Sequence, residues 1–384
     1  MLRFVLLLSL SVPVLAGPIV PAPPTINADA YLLMDFATGK IVVEHNADQQ
    51  LPPASLTKLM TAYILAEEID DGRLSLDDKV PVSRNAWSQN PTFRGSSLMW
   101  IEPGKDVTVQ ELERGIVISS GNDATVAIAE HIAGSEEAFA GMMNGYAREL
   151  GMTDTFFVNS HGLPHPDHLT TARDLAVLAV ATIREHPDRY RVYREQSYTY
   201  NDITQYNRNL LLREDHTVDG LKTGYTSVAG YGLVASAERD GMRLVSVVLG
   251  SESPLSRTAE TRSLLNYGFR FYQTLKPLAA EVSLGQQRVW KGVVGLVDGG
   301  VLETPSITVP RSNKEPSIVA QFNDTLEAPI ARGDEIGLVK VILDGEVVLE
   351  RPLVALKDVP EAGFFARLWD ALLLWLSGLF GDSK

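Results

Sequence analysis

The stretch Leu51-Pro-Pro-Ala-Ser-Leu-Thr-Lys-Leu-Met-Thr-Ala-Tyr63 is where the fold of this 384-residue chain is decided. Over residues 54–70 the apolar positions recur at spacings of three and four, which predicts a helix starting near Ser55. The three-residue spacing places Ser55 and Lys58 on one helix face. A lysine with a lowered pKa can take the proton of a serine hydroxyl, and free N–H groups at a helix start can stabilise an oxyanion. Alone, Ser-x-x-Lys is expected about once by chance, and an N-cap serine with a solvated lysine is then the simpler interpretation.

Two more short motifs follow along the chain. Ser120-Gly-Asn122 separates two helical patterns, residues 109–118 and 124–133, and alone would be a turn with a capping residue. Lys222-Thr-Gly224 falls on a predicted strand. There Gly224 would let a ligand approach the backbone, while the lysine and threonine offer a charge and a hydroxyl to a carboxylate. Taken alone, this motif would be interpreted as a lysine on an edge strand.

The rest of the sequence indicates two domains that differ in their secondary structure. Residues 30–43 predict a hairpin, and further helical patterns cover residues 136–150, 171–185 and 256–275. After Lys276 the chain consists of short β-rich runs between turns, including the hairpin turn Asp344-Gly. This part carries no convincing cluster of catalytic residue types.

The three motifs, in this order and in these contexts, resemble the signature set of penicillin-recognising serine enzymes. The flanking stretches Arg94–Met99, Asp219–Thr226 and Gly363–Trp369 are similar to low-molecular-mass penicillin-binding proteins, most of all the D-alanyl-D-alanine carboxypeptidases of the peptidase S11 type. The resemblance covers nearly the whole chain. It implies an α+β fold: a β-lactamase-like serine transpeptidase domain with an antiparallel sheet flanked by helices, a small all-β sandwich-like domain and a C-terminal amphipathic helix. The expected bounds are 1–16 for a signal peptide, 25–275 for the catalytic domain, 276–358 for the β domain and 361–384 for the helix.

The resemblance also implies roles for individual residues. Ser55 would be the nucleophile and Lys58 its general base, while Ser120 would relay a proton to the leaving amine and Asn122 would position Lys58 and the substrate. The residues expected to bind substrate are Lys222, Thr223, Gly224 and Arg208. The backbone N–H groups of Ser55 and Tyr225 would donate to the oxyanion. No metal or cofactor is expected.

Two positions near the expected site are less clear. His161 matches a family histidine close to the site, where a packing role is at least as well supported as a functional one. Glu252 stands where some relatives carry a basic residue beside the carboxylate pocket, which puts carboxylate affinity in question.

Composition and the two ends of the chain favour an exported protein at a membrane surface. The net charge of −14 makes nucleic acid a poor partner, and the chain has no cysteine. Residues 1–16 combine Arg3, a short apolar run and small residues, as signal peptides do, with an uncleaved anchor as the alternative. Near the other end, one broad apolar helix face with two tryptophans suits the bilayer interface, and a helix docked on the core is the alternative. The expected location is the periplasmic face of the bacterial inner membrane.

The function that the resemblance implies is D-Ala-D-Ala carboxypeptidase activity on the pentapeptide stems of peptidoglycan, with β-lactams as inhibitors that acylate Ser55. A class A β-lactamase is disfavoured because no Glu-x-x-Leu-Asn segment lies between Asn122 and Lys222. Two competing functions stay open: a DD-endopeptidase of the same superfamily, and a non-catalytic peptidoglycan-binding scaffold.

Overall fold

The computed structural model describes residues 20–380, without the side chains of residues 377–380. The expected signal peptide, residues 1–16, therefore lies outside the described residues. Among these, the chain divides into a first unit, Ala22–Phe271, and a second unit that begins at Tyr272.

The first unit is built on a five-stranded antiparallel sheet with the order β2-β1-β9-β8-β7. The strands of the first unit are β1 (Ala30–Asp35), β2 (Ile41–His45), β3 (Lys79–Pro81), β4 (Asp106–Thr108), β5 (Ser197–Tyr200), β6 (Ile203–Tyr206), β7 (Val218–Thr226), β8 (Gly230–Arg239) and β9 (Met242–Ser251). Strands β3 and β4, and β5 and β6, form two separate two-stranded sheets. The predicted hairpin is β1–β2, and the Lys222 motif lies on β7 at one edge of the sheet.

Helices cover this sheet and form the rest of the first unit. They are α1 (Lys58–Asp70), α2 (Val109–Val117), α3 (Asn122–Ala133), α4 (Glu136–Glu149), α5 (Ala172–Glu185), α6 (Pro187–Tyr190), α7 (Leu211–Glu214) and α8 (Pro254–Phe271), with 3₁₀ turns at Ala54–Thr57, Pro91–Phe93 and Arg191–Arg194. Both α5 and α8 pack against β9, so its run Leu244–Leu249 is buried throughout, as the continuous apolar sequence requires.

Local capping explains where several helices begin. Thr108 and Glu111 form a capping box at the start of α2, and the Thr171 hydroxyl accepts the Asp174 N–H at the start of α5. The last helical pattern of this unit predicts a helix as far as Leu275, but α8 ends at Phe271. Residues Tyr272–Leu275 instead form a strand paired with Ile307–Pro310, because this tertiary pairing overrides the local helical spacing.

The second unit is mostly β. Its strands are β10 (Tyr272–Leu275), β11 (Gly285–Trp290), β12 (Leu296–Gly300), β13 (Ile307–Pro310), β14 (Ser317–Phe322), β15 (Leu326–Glu327), β16 (Glu335–Leu343) and β17 (Glu346–Ala355). Six of them form a sheet with the order β14-β16-β17-β12-β11-β15 over an aliphatic core. The predicted Asp344-Gly turn joins β16 to β17, with φ of +56° and +87°.

A terminal helix, α9 (Phe364–Phe380), completes the second unit. Its exposed large apolar side chains include Phe365 at 84% and Trp369 at 62%, and the others are Phe364, Leu368, Leu372 and Trp375. On its polar side Asp370 accepts the backbone N–H of Lys291 at 2.6 Å, which ties the helix to the end of β11. Within residues 20–380, no helix has the length and apolar character needed to cross a bilayer.

Candidate active site

Ser55 sits on a tightly shaped turn rather than inside a regular helix. The predicted helix begins as the 3₁₀ turn Ala54–Thr57, and α1 starts only at Lys58. The Thr57 hydroxyl donates to the Ala54 carbonyl at 2.8 Å and lies 2.8 Å from Nε2 of His168. Because Nδ1 of His168 accepts the Val158 N–H, its Nε2 carries the proton and donates to Thr57. Burial lowers the pKa of His168 to about 3, so the ring is neutral near pH 7.

Two glycines from distant segments leave room for this turn. Gly162 has φ of +86°, and a Cβ there would lie 1.8 Å from the Ala54 carbonyl oxygen. A Cβ on Gly224 would lie 2.9 Å from the Pro53 carbonyl oxygen. The sequence suggests that Gly224 lets a ligand approach the backbone. The structure indicates that it also lets the turn that carries Ser55 pack on β7.

Lys58 is fully buried beneath Ser55 and holds three polar contacts. Its Nζ lies 3.1 Å from Ser55 Oγ, 2.7 Å from Asn122 Oδ1 and 2.6 Å from the carbonyl oxygen of His161. A neutral amine has two hydrogens and one lone pair. The two carbonyl-type oxygens take the hydrogens, which leaves the lone pair for the Ser55 hydroxyl.

The electrostatics of the site favour this neutral form. Burial, and after it the positive charge of Arg208, lowers the pKa of Lys58 from 10.5 to about 7. A substantial fraction of Lys58 is therefore unprotonated at neutral pH. The pair can act chemically as a serine nucleophile with a lysine base.

A second buried lysine lies at the other side of the site. Lys222 Nζ donates to Ser120 Oγ at 2.8 Å, and burial together with the charge of Lys58 lowers its pKa well below 10.5. Ser120 lies in the connection between α2 and α3 and has φ of +59°, a conformation rare for residues with a side chain. The hydroxyl of Ser120 is thus held against Lys222 by an unusual backbone.

Asp123, which the sequence indicates only as a candidate capping residue, holds this connection in place. Its buried carboxylate accepts the backbone N–H groups of Met99, Trp100 and Ile101 at 2.8, 2.8 and 3.1 Å. Burial raises its pKa, against the opposing effect of these hydrogen bonds. The loop from Arg94 to Met99, expected to border the site, is thereby anchored at the start of α3.

The three motifs meet at one cleft of about 550 Å³. The expected site residues that line it are Ser55, Ser120, Asn122, His161, Arg208, Thr223, Gly224 and Tyr225; Lys58 and Lys222 lie beneath it. No aspartate or glutamate is among its described lining residues.

The cationic end of the cleft differs from expectation. Glu252 is exposed and is not among the lining residues, whereas Arg257 of α8 lines the cleft and is only 5% exposed. The guanidinium of Arg257 contacts the carbonyl oxygens of Gly224 and Gly232, at 3.4 and 3.2 Å, and burial lowers its pKa to about 10. The sequence offers no signal for Arg257, because thirty-five residues and two strands separate it from Lys222. Arg208, which the resemblance does indicate, donates to Ser97 Oγ.

His161 contributes through its backbone. Its carbonyl oxygen accepts from Lys58, while its ring packs edge-on against Phe93 and its Nδ1 accepts the Leu163 N–H at 3.0 Å. Burial and the nearby Lys58 lower its pKa to about 3. The imidazole is therefore neutral, and its position fixes the acceptor that holds Lys58.

Comparisons with known proteins show which family the chain is similar to. The sequence profile described as D-alanyl-D-alanine carboxypeptidase matches residues 18–253, and the profile of the penicillin-binding protein 5 C-terminal domain matches residues 272–361. The chain is 43% identical to D-alanyl-D-alanine carboxypeptidase DacC of Escherichia coli over 364 residues, which covers 94% of this chain and 91% of that protein.

Solved structures are similar over most of the chain or over about two thirds of it. Penicillin-binding protein 5 from Haemophilus influenzae superposes with a TM-score of 0.82 at 40% identity, covering 89% of this chain and 100% of that one. Penicillin-binding protein D2 from Listeria monocytogenes, in a cefotaxime-bound form, has a TM-score of 0.59 at 31% identity and covers 65% of this chain and 100% of that one.

Proposed function

The chain belongs to the D-alanyl-D-alanine carboxypeptidase family, peptidase S11, and on that premise we propose that it removes the terminal D-alanine from the pentapeptide stems of peptidoglycan. It is a serine-type carboxypeptidase. The observation that supports the proposed mechanism best is the contact of Lys58 Nζ with Ser55 Oγ at 3.1 Å, made by a lysine with a pKa of about 7.

Acylation starts with proton transfer from Ser55 to Lys58. The Ser55 oxygen then attacks the carbonyl carbon of the penultimate D-alanine, and the backbone N–H groups of Ser55 and Tyr225 stabilise the oxyanion. Asn122 keeps Lys58 in place and offers its amide to the substrate. Ser120, held by Lys222, gives its proton to the leaving amine and regains one from Lys58, so free D-alanine departs, an ester remains on Ser55 and Lys58 is neutral again.

Hydrolysis of this ester completes the reaction. Water attacks the acyl carbon, its proton passes to a base of the site, and the shortened peptide leaves while Ser55 regains its hydrogen. Lys58 is the base available for this step, since the described lining of the cleft holds no carboxylate. A β-lactam follows the same first step because its strained amide resembles the D-Ala-D-Ala bond.

The terminal carboxylate of the substrate is the feature that the cationic end of the cleft fits. Thr223 offers a hydroxyl, Arg208 and Arg257 bring positive charge to the same end, and Lys222 lies beneath it. Within residues 20–380, neither guanidinium has a carboxylate within 4.0 Å, since Arg208 donates to Ser97 and Arg257 donates only to backbone carbonyl oxygens. A substrate carboxylate supplies the missing counter-ion.

The proposal is tested by measuring D-alanine release from a soluble peptide ending in D-Ala-D-Ala, together with labelling by a fluorescent penicillin. Wild-type protein should release D-alanine and be labelled, and Ser55→Ala should do neither while keeping its thermal midpoint. Labelling without D-alanine release would move the activity to another peptide bond, as in an endopeptidase. Neither activity in folded wild-type protein would contradict the proposal.

We also propose that the mature protein is exported and lies on the periplasmic face of the inner membrane through α9. The support is the exposed apolar side of the helix, on which Trp369 and Trp375 suit the interface. Cosedimentation with lipid vesicles should fall strongly in a Trp369→Glu, Trp375→Glu double variant. Unchanged cosedimentation would contradict the anchoring role.

A further inference from the structure

Two helices of the first unit end at the same place, and both ends carry acidic side chains. The last turn of α1 presents Glu67 and Asp70 and contains no basic residue. Helix α5 ends at Glu185, and Arg184 in its last turn donates to the Phe36 carbonyl. A helix C-terminus is the negative end of the helix dipole, so carboxylates there are unfavourable unless a cation is close. In the part of the chain that the structure describes, no lysine or arginine lies within 4.0 Å of these three carboxylates.

His186 lies at the centre of this cluster and is 3% exposed. Its Nδ1 is 2.6 Å from Asp70 Oδ2, which fixes the ring with Nδ1 as the donor. Its buried Nε2 has no hydrogen-bond partner, although Glu67 Oε1 is 3.0 Å away, because that oxygen is not aligned for a hydrogen bond. Ligand atoms of Glu67, Glu185 and His186 all lie within 4.8 Å of one another.

This arrangement is the one that metal sites use. A ligating histidine donates its other ring N–H to a carboxylate, and the free nitrogen then faces the metal. Here Asp70 is that carboxylate. Nε2 and two carboxylate oxygens converge without bonding to one another, as ligands of a common ion do. Tyr63 holds two of these side chains in position, since its hydroxyl donates to Glu185 Oε2 at 2.5 Å and its ring packs edge-on against His186.

We propose that Glu67, Glu185 and His186 bind a divalent transition-metal ion of the zinc type, with Asp70 as the carboxylate that orients His186. One imidazole nitrogen with two carboxylate oxygens suits zinc, and a water would complete four ligands. The ion joins the ends of α1 and α5 and neutralises both. It has no part in catalysis, because Glu67 is nine residues, or about 13 Å, along α1 from Lys58.

The alternative is a simple ion pair in which a protonated His186 bridges Asp70 and Glu67. The two differ in a measurable way. A metal site binds one equivalent of Zn²⁺ tightly, whereas an imidazolium between two carboxylates repels the ion and gains no stability from it.

The test is calorimetric titration of the EDTA-treated full chain with Zn²⁺ alone, with Co²⁺ as a spectroscopic probe. Wild-type protein should bind one equivalent, show the visible absorption of low-coordinate Co²⁺, and gain several degrees in thermal midpoint at a hundredfold excess over Kd. His186→Gln and Glu185→Gln should each weaken binding more than tenfold, and Asp70→Asn about tenfold. His165→Gln is the matched control, since His165 is exposed beside Asp167 and lies outside the cluster.

Labelling by fluorescent penicillin shows that each variant is folded, because Ser55 is remote from the cluster. If His186→Gln is not labelled, Glu185→Gln and Asp70→Asn carry the test. Absence of saturable Zn²⁺ binding by the wild-type protein overturns the proposal in favour of the ion pair. Binding that survives in both Glu185→Gln and His186→Gln places the ion elsewhere and overturns it as well.

Discussion

The interiors of the two units are chemically different. In the first unit several charged side chains are almost completely buried: Asp35, Lys58, Glu68, Glu113, Asp123, Asp174, Lys222 and Arg257. In the described part of the second unit, the buried side chains are aliphatic with the exception of Thr308. Buried charge costs stability unless it is paired. Among residues 20–380, Lys58, Lys222 and Arg257 have no carboxylate within 4.0 Å, so the first unit gives up stability at its candidate site, a cost that the described part of the second unit does not carry.

The largest expected effect comes from removing the buried base. In Lys58→Met, kcat/KM for D-alanine release should fall about 10⁴-fold or more, because Ser55 loses its proton acceptor. The same change should relieve a cost of folding. The pKa of Lys58 is about 7 when folded and near 10.5 when unfolded, so its burial destabilises the wild-type protein increasingly as pH falls from 10.5 to 7.

Unfolding free energies measured from pH 7 to 10 check this sign. The stability of Lys58→Met relative to the wild type should increase as pH falls, by a few kcal/mol over the range. A relative stability that does not change with pH would mean that the buried lysine is not costly, and the contrast between the units would lose its main support.

A smaller effect is expected where buried charge serves recognition. Arg257→Gln should lower kcat/KM about 100-fold, mainly through KM, because the substrate carboxylate loses a buried partner. Arg213→Gln is the matched control, since Arg213 lines the same cleft but is exposed. Equal losses in the two variants would show that burial of Arg257 does not matter.

A still smaller effect should appear in the pH profile. For the wild type, kcat/KM should rise with pH and level off above about 7, as Lys58 loses its proton. The charge of Arg208 lowers the pKa of Lys58, so Arg208→Gln should move this midpoint upward, by less than about one pH unit. Arg213→Gln should leave the midpoint in place, and a downward shift in Arg208→Gln would contradict the electrostatics described here.

No loss of activity is expected from damage to the second unit. Leu353→Ala removes a fully buried side chain and should cost about 2–5 kcal/mol of stability, measured by thermal or denaturant unfolding. The rate of labelling by fluorescent penicillin should stay unchanged in the folded protein. The matched variant Leu59→Ala, equally buried beside Lys58, should lose both stability and labelling rate. A slower labelling rate in Leu353→Ala would contradict the expectation that the second unit does not affect the reactivity of Ser55.

Features that depend on neighbours in sequence are predictable. The β1–β2 hairpin, most helices and the Asp344 turn follow from periodicity and turn residues. Ser55 and Lys58 are linked by their spacing alone. The three motifs can be placed in one site because their order and contexts resemble a known family.

Features made by contacts across the chain are not predictable. Arg257 and Asp123 belong to the site only because α8 packs on β8 and because residues 99–101 fold over the start of α3. His168 carries no motif, yet it shapes the turn of Ser55 through Thr57. The cluster around His186 joins two helix ends more than a hundred residues apart, so no ligand spacing could show it in the sequence.

Gly162 and Gly224 lie against the turn that carries Ser55 and limit the substitutions that this enzyme can accept. Any side chain at Gly162 or Gly224 collides with backbone atoms of residues 53–54, which cannot move without displacing Ser55. We therefore expect substitutions at either glycine to lower acylation by β-lactams and the proposed native reaction together. Substitutions that change the preference for particular β-lactams are expected at the rim of the cleft, where Tyr225 is half exposed and stacks on Tyr231.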